Sequence, residues 1–143
     1  MSIEIWDVFD ENGIPTGKTA LRGQGVLKSG EYHLVVHIWI VSPNGQFLIQ
    51  RRSERKKLMP GEWAATGGAA ISGEDSYKAA SRELFEELGI TSTPETLNKI
   101  FRLKRRNSFL DVWAIICNTP ANQLKLQESE VASAKWITPE EQI

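Results

Sequence analysis

Residues 81–90 read SRELFEELGI, and this segment constrains the chain most, because it breaks the rules for a free helix. It places Glu83, Glu86 and Glu87 in the last turn, ahead of Gly89. A helix C-terminus carries partial negative charge and favours Lys, Arg or His. Carboxylates at i, i+3 and i+4 also repel one another, by roughly 0.2–0.5 kcal/mol per pair. Something outside the helix must offset both costs. Three acids on one face suit a hard divalent cation, and Mg²⁺ takes oxygen ligands in near-octahedral geometry. A bound cation would reverse the repulsion and the dipole penalty together. The alternative is a solvated acidic surface.

The helix itself is well specified. At about 100° per residue, Tyr77, Ala80, Leu84 and Leu88 form one apolar stripe. Ser72 and Asp75 fit a capping box at its start, and Gly89 can take the left-handed conformation that ends it. Around it lie β-type runs: IEIWDVFD, HLVVHIWIV, QFLIQRR, LNKIFRLKRR, FLDVWAIIC and SAKWIT. Asn44-Gly45 between the second and third predicts a hairpin with a type I′ turn. Asn107-Ser108 marks a further turn, while ENGIPTG and PGEWAATGGAA read as turn-rich connections. Strands, one central helix and more strands make an α+β domain spanning residues 1–143. TPEEQI reads as the start of a second helix, with Thr138 as N-cap and Pro139 at N1. The chain stops there, so this C-terminal helix is expected to be truncated.

A net charge of −1 argues against bulk attraction to nucleic acid or an anionic membrane. The single Cys117 rules out an internal disulfide and a four-cysteine zinc site, and its apolar setting predicts a buried structural thiol. No signal peptide or run long enough to span a bilayer is present, so a cytoplasmic protein is expected.

Residues 68–90, GAAISGEDSYKAASRELFEELGI, resemble the Nudix box, Gx5Ex7REUxEExGU with U aliphatic. Gly68, Glu74, Arg82, Glu83, Leu84, Glu86, Glu87, Gly89 and Ile90 fill all nine defined positions, a match expected by chance on the order of 10⁻⁹ per starting point. The resemblance implies a mixed β-sheet sandwiched between helices. It implies a loop–helix–loop holding one or more Mg²⁺ or Mn²⁺ ions against a diphosphate. Glu86 and Glu87 would be principal metal ligands, and Glu83 a ligand or the base that activates water. The Gly67 carbonyl would complete the metal shell. Arg82 would orient Glu83, and Glu74 would steady the loop entering the helix. Glu130 fits a further acid that many such enzymes carry before a Trp-containing strand, and it suits that place better than Glu128.

Beyond the box, the chain is similar to the branch that includes isopentenyl diphosphate isomerase. Asp10, Gly13, Gly17, Arg22, His33, Gln50-Arg51-Arg52, Lys56, Pro60-Gly61 and Trp63 carry that pattern. The isomerases' catalytic Cys and following His fall on Gly67 and Ala69, so the resemblance implies an isomerase-like hydrolase. His33 and His37 share a strand face without a third nitrogen or sulfur ligand, and are expected as core or hydrogen-bonded histidines. Arg51, Arg52, Lys56 and Lys57 could hold a diphosphate or form a solvated basic loop. In RLKRR only Arg102, Lys104 and Arg106 would point together, and with Phe101 and Phe109 they form no RNA-binding motif.

The favoured expectation is a Mg²⁺-dependent hydrolase of a diphosphate linked to a group X, a small molecule. An allylic-diphosphate isomerase and a non-catalytic nucleotide-sensing domain are the alternatives. A homodimer is compatible with the resemblance; a membrane partner is not expected, nor is nucleic acid.

Overall fold

The computed structural model describes residues 4–22, 27–56 and 59–141. Lys57 and the end of the expected second helix lie outside them. The chain forms β1 (Ile5–Phe9), β2 (Pro15–Leu21), β3 (His33–Val41), β4 (Phe47–Arg52), β5 (Trp63–Ala64), β6 (Thr66–Ala69), α1 (Ser76–Leu88), β7 (Leu97–Lys104), β8 (Ser108–Ile116) and β9 (Val131–Ile137). β1 and β2 pair as an antiparallel hairpin, and the remaining strands form one mixed sheet.

β3 is the centre of that sheet. It runs parallel to β8, from His33 opposite Ser108 to Val41 opposite Ile116. Its alternation buries Leu34, Val36, Ile38 and Ile40 on one face, where they meet Ala80, Leu84 and Leu88 of α1 in the core. Removing a leucine such as Leu84 from this contact would cost about 2–5 kcal/mol. The expected α+β architecture is therefore present, but among the described residues α1 is the one α-helix, and it covers a single face. No helix of the described residues is long and apolar enough to cross a membrane.

The other edge of β3 is shared. Near Ile40 and Val41 it pairs with β4, whereas from Val35 to Ile38 it pairs with β6. β4 leaves β3 in the same way, pairing through Gln50 and Arg51 with β5 and along its other edge with β9. β3 and β4 thus part company, and the chain crosses between them through Ala65, which alone separates β5 from β6. This split lies beside the helix that carries the acidic residues.

Several local expectations change. The N-cap of α1 is Asp75, whose carboxylate accepts from the Lys78 N–H at 2.8 Å, while the Ser72 hydroxyl donates to Asp7 at 2.6 Å. Ser72 is drawn to the first hairpin instead of capping the helix. The β3–β4 turn has positive φ only at Gly45, so it is not the type I′ turn the Asn-Gly pair predicts; Gly45 N–H donates to Ser42 and Ser42 N–H to Gln46. β2, β5 and β6 form where the sequence reads as turns. Pro15 is tolerated because it begins its strand. Cys117 is only half-buried, packed against the core with its Sγ 3.5 Å from the Thr119 hydroxyl.

The RLKRR segment stays exposed, but two of its cations are engaged across the sheet. Arg102 donates Nε and Nη2 to Asp111 at 2.6 and 2.9 Å, and Asp111 is 0% exposed. Lys104 lies over the Tyr32 ring, and the strand ends before Arg106, so the expected three-residue basic face does not form.

Candidate active site

Arg82 organises the site. Its Nε and Nη2 donate to the two Glu74 carboxylate oxygens at 2.6 and 3.0 Å. Nη1 donates to Glu83 at 2.5 Å and to Glu86 at 3.1 Å, and Nη2 also reaches the Ala69 carbonyl at 3.2 Å. Burial opposes the guanidinium charge, but the bonds to Glu74 and Glu83 outweigh it and hold Arg82 above its ordinary pKa. Glu74 in turn accepts from the Ile71 N–H at 2.9 Å, which steadies the loop leading to α1. One side chain therefore links β6, the entry loop and the helix.

Glu83 and Glu87, one turn apart, lie towards the buried side of α1, close enough for the charge of Glu87 to act on Glu83. Burial, reinforced by the neighbouring Glu87 charge, pushes Glu83 up to about 9 despite Arg82. Glu87 is only 5% exposed, and burial raises it too, against the hydrogen bond from Gln50. Two carboxyls so placed need a shared proton or a cation between them.

Gly68 makes room for Glu83: a Cβ there would overlap Glu83 Oε2 and stand 2.7 Å from its Cδ. Gly67, the next residue back, lies opposite His37 in the β3–β6 pair, and a Cβ on it would collide with the Val36 carbonyl and approach His37 Cδ2 to 2.8 Å. Two consecutive glycines in a strand are otherwise unfavourable. Here the space their side chains would take is already occupied on both faces of β6.

The expected acidic cluster is brought together only in part. Among the described residues no three His, Cys, Asp or Glu side chains gather closely enough to hold a metal ion. Glu83 and Glu87 meet; Glu86 turns to Arg82 with 45% of its side chain exposed. Glu130 pairs with Lys56, and both exert their charge on Glu87. The residues still suit a hard divalent cation. The Glu83–Glu87 pair supplies oxygen ligands that burial makes costly to ionise together, and the site holds a buried polar atom without a partner, Gln50 Oε1.

The basic residues are engaged elsewhere. Arg51 donates to the Gly61 carbonyl at 3.1 Å and to Glu54 at 2.9 Å, bracing the 54–61 loop. The Arg52 main chain donates to the Glu62 carbonyl at 2.7 Å. The Lys56 ammonium donates to a further acid, Glu130. His33 stacks on Trp6, with ring centroids 3.9 Å apart, and burial lowers it to about 4; His37 is lowered by burial as well. Both are half-buried side chains of β3, and His33 Nδ1 is buried without a hydrogen-bond partner among the described residues.

Gln50 is the site residue that sequence reasoning left without a role. It is 6% exposed, and its Nε2 donates to Glu87 Oε1 at 2.7 Å. The signal was available: Gln50 follows Leu48 at the strand period of two, which puts a polar amide at a core-facing position.

The NUDIX domain family matches residues 31–142. An uncharacterized Nudix hydrolase of Listeria monocytogenes is 41% identical, the match covering 97% of this chain and 82% of that protein. Nudix hydrolase 3 of Arabidopsis thaliana is 36% identical over 99% of this chain but only 20% of its own length. Among solved structures, DR0079 from Deinococcus radiodurans superposes with a TM-score of 0.79 at 26% identity, covering 96% of this chain and 85% of that one.

Proposed function

The chain belongs to the Nudix family of hydrolases, and on that premise we propose that it is a divalent-metal-dependent enzyme splitting the phosphoanhydride of a diphosphate linked to a group X. Nudix hydrolases generally use divalent metals. The observation that carries the reading is the buried Glu83–Glu87 pair, a charge arrangement that is costly without a cation.

In this reading Glu83, Glu86 and Glu87 would hold Mg²⁺ or Mn²⁺ with the Gly67 carbonyl, and Glu130 would be a further ligand. The ion supplies charge neutralisation for the polyanionic substrate and acidifies bound water. Arg82 keeps Glu83 aimed so that its carboxylate accepts the proton of the attacking water. That water bonds to one phosphorus as the bridging oxygen leaves with the other phosphate. Lys56 meets the diphosphate, exchanging Glu130 for a phosphate oxygen, and Arg51 and Arg52 line its approach.

The sequence resembles the branch that includes isopentenyl diphosphate isomerase, yet an isomerase reading is opposed at Gly67. The isomerase position for Cys has no room for a Cβ, because the Val36 carbonyl is main chain and cannot swing away. Hydrolysis requires no side chain there.

The test is release of phosphate or monophosphate from nucleoside diphosphates, nucleotide sugars, coenzyme fragments and isoprenoid diphosphates, with Mg²⁺ or Mn²⁺ and with chelator. We expect metal-dependent turnover of one class, abolished by Glu87→Gln. Isomerisation of an allylic diphosphate, or tight binding of a nucleotide with no turnover across the panel, would overturn the proposal.

A further inference from the structure

We infer that Gln50 is a positioning residue for the metal-binding carboxylates: its amide fixes which oxygen of Glu87 is left for the cation, and its own carbonyl oxygen is the acceptor kept for a water bound there. The inference rests on the hydrolase reading above and adds a residue from outside the box.

Gln50 sits in β4 where the strand is held on both edges, paired with Ala64 of β5 and Ala134 of β9. Its Cα is therefore fixed beside the split between β3 and β4, and its neighbours in register are small. From there Nε2 donates to Glu87 Oε1 at 2.7 Å. That bond takes one lone pair of Oε1 and fixes the carboxylate plane, which leaves Oε2 the freer oxygen to offer a ligand. The other end of the amide is equally informative. Gln50 Oε1 is buried and accepts no hydrogen bond among the described residues. Buried polar groups are nearly always satisfied. The acids around it, when ionised, are acceptors only and cannot satisfy it. A water brought in with the cation is a donor and would.

A packing role makes a different prediction. Leu48 precedes Gln50 on the same strand face and is 3% exposed, so an apolar side chain would fill the position without leaving an acceptor unpaired. Retaining an amide there is explained by what its two ends do.

The experiment titrates Mn²⁺ into the whole protein and follows free Mn²⁺ by electron paramagnetic resonance, for the unaltered chain, Gln50→Met and Glu87→Gln, with thermal unfolding in parallel. Gln50→Met keeps the volume and removes both polar ends. Partners of metal ligands typically change affinity by about 10–100-fold. We expect Gln50→Met to stay folded and bind Mn²⁺ about 10–100-fold more weakly. A folded Gln50→Met protein with unchanged Mn²⁺ affinity overturns the inference and leaves Gln50 a packing residue, while the hydrolase reading stands. Absence of Mn²⁺ binding in the unaltered chain overturns the metal reading and the inference with it. Should Gln50→Met fail to fold, Gln50→Asn, which withdraws the amide by one methylene, is read by the same criterion.

Discussion

Replacing Gly68 with alanine tests the site through a single methyl group. The backbone at Gly68 is not in the left-handed region, so alanine meets no conformational penalty. In backbone terms the change should even stabilise the fold, by about 0.4–1 kcal/mol. The obstacle is Glu83. An added Cβ would stand 2.7 Å from Glu83 Cδ, closer than the 3.4 Å at which contact becomes ordinary, and closer still to Oε2. The carboxyl must retreat by about 1 Å or more, a misplacement that can lower turnover about 100-fold. Retreat also strains its 2.5 Å bond from Arg82 and its contact with Glu87. Because the group displaced is the end of a flexible side chain, the fold can accommodate it. Gly68→Ala should therefore keep its unfolding free energy in urea within about 1 kcal/mol of the unaltered protein and lose about 100-fold in kcat at saturating metal. Turnover within about threefold of the unaltered enzyme would refute the claim that Glu83 acts from its present position.

Above the ordinary histidine value of 6.5, where the lowered His33 and His37 are neutral in both states, the metal-free protein should lose stability as pH rises towards about 9, since the folded state keeps a proton on Glu83 that the unfolded chain has released. Thermal melts with chelator across that range check the sign, and added Mg²⁺ should flatten the slope by replacing the proton; a rise in stability with pH would contradict the buried pair. Arg102→Met should destabilise the fold by about 3 kcal/mol in urea unfolding, because it strips the fully buried Asp111 of its bidentate partner and leaves Lys99, 3.3 Å away, and Ser76. Its effect on kcat should be small, as that pair is no part of the proposed site.

What could be read from the sequence was mostly local. Tyr77, Ala80, Leu84 and Leu88 repeat at the helical period, and Gly89 closes α1 with φ 73° and its N–H on the Phe85 carbonyl, as its position suggested. β3 and β8 were legible because β-branched and aromatic residues dominate them. β6 was not, since glycines at 67 and 68 argue against a strand when read alone. They are accepted because His37 on one side and Glu83 on the other fill the space, and neither neighbour is near in sequence. Gln50 and the Lys56–Glu130 pair have the same origin: β4 and the segment before β9 reach the helix only through sheet topology.

The unequal fates of the three helical acids need no such long-range information. At 100° per residue the apolar stripe centres near Leu84. Glu87 lies about 60° from that centre, Glu83 about 100° and Glu86 about 160°. Exposure follows the same order: Glu87 is buried, Glu83 keeps 13% of its side chain exposed and Glu86 keeps 45%. The acids of the box are thus graded by depth. Glu87 is shielded enough for its charge to act strongly, and Glu83 is half-shielded and steered by Arg82. Glu86 is left at the rim, where water screens it and an ion pair with Arg82 is easily exchanged. A cation entering from solvent would meet Glu86 first and Glu87 last, so one helix supplies both the approach and the seat. What it cannot supply is the donor that fixes Glu87, and that comes from β4.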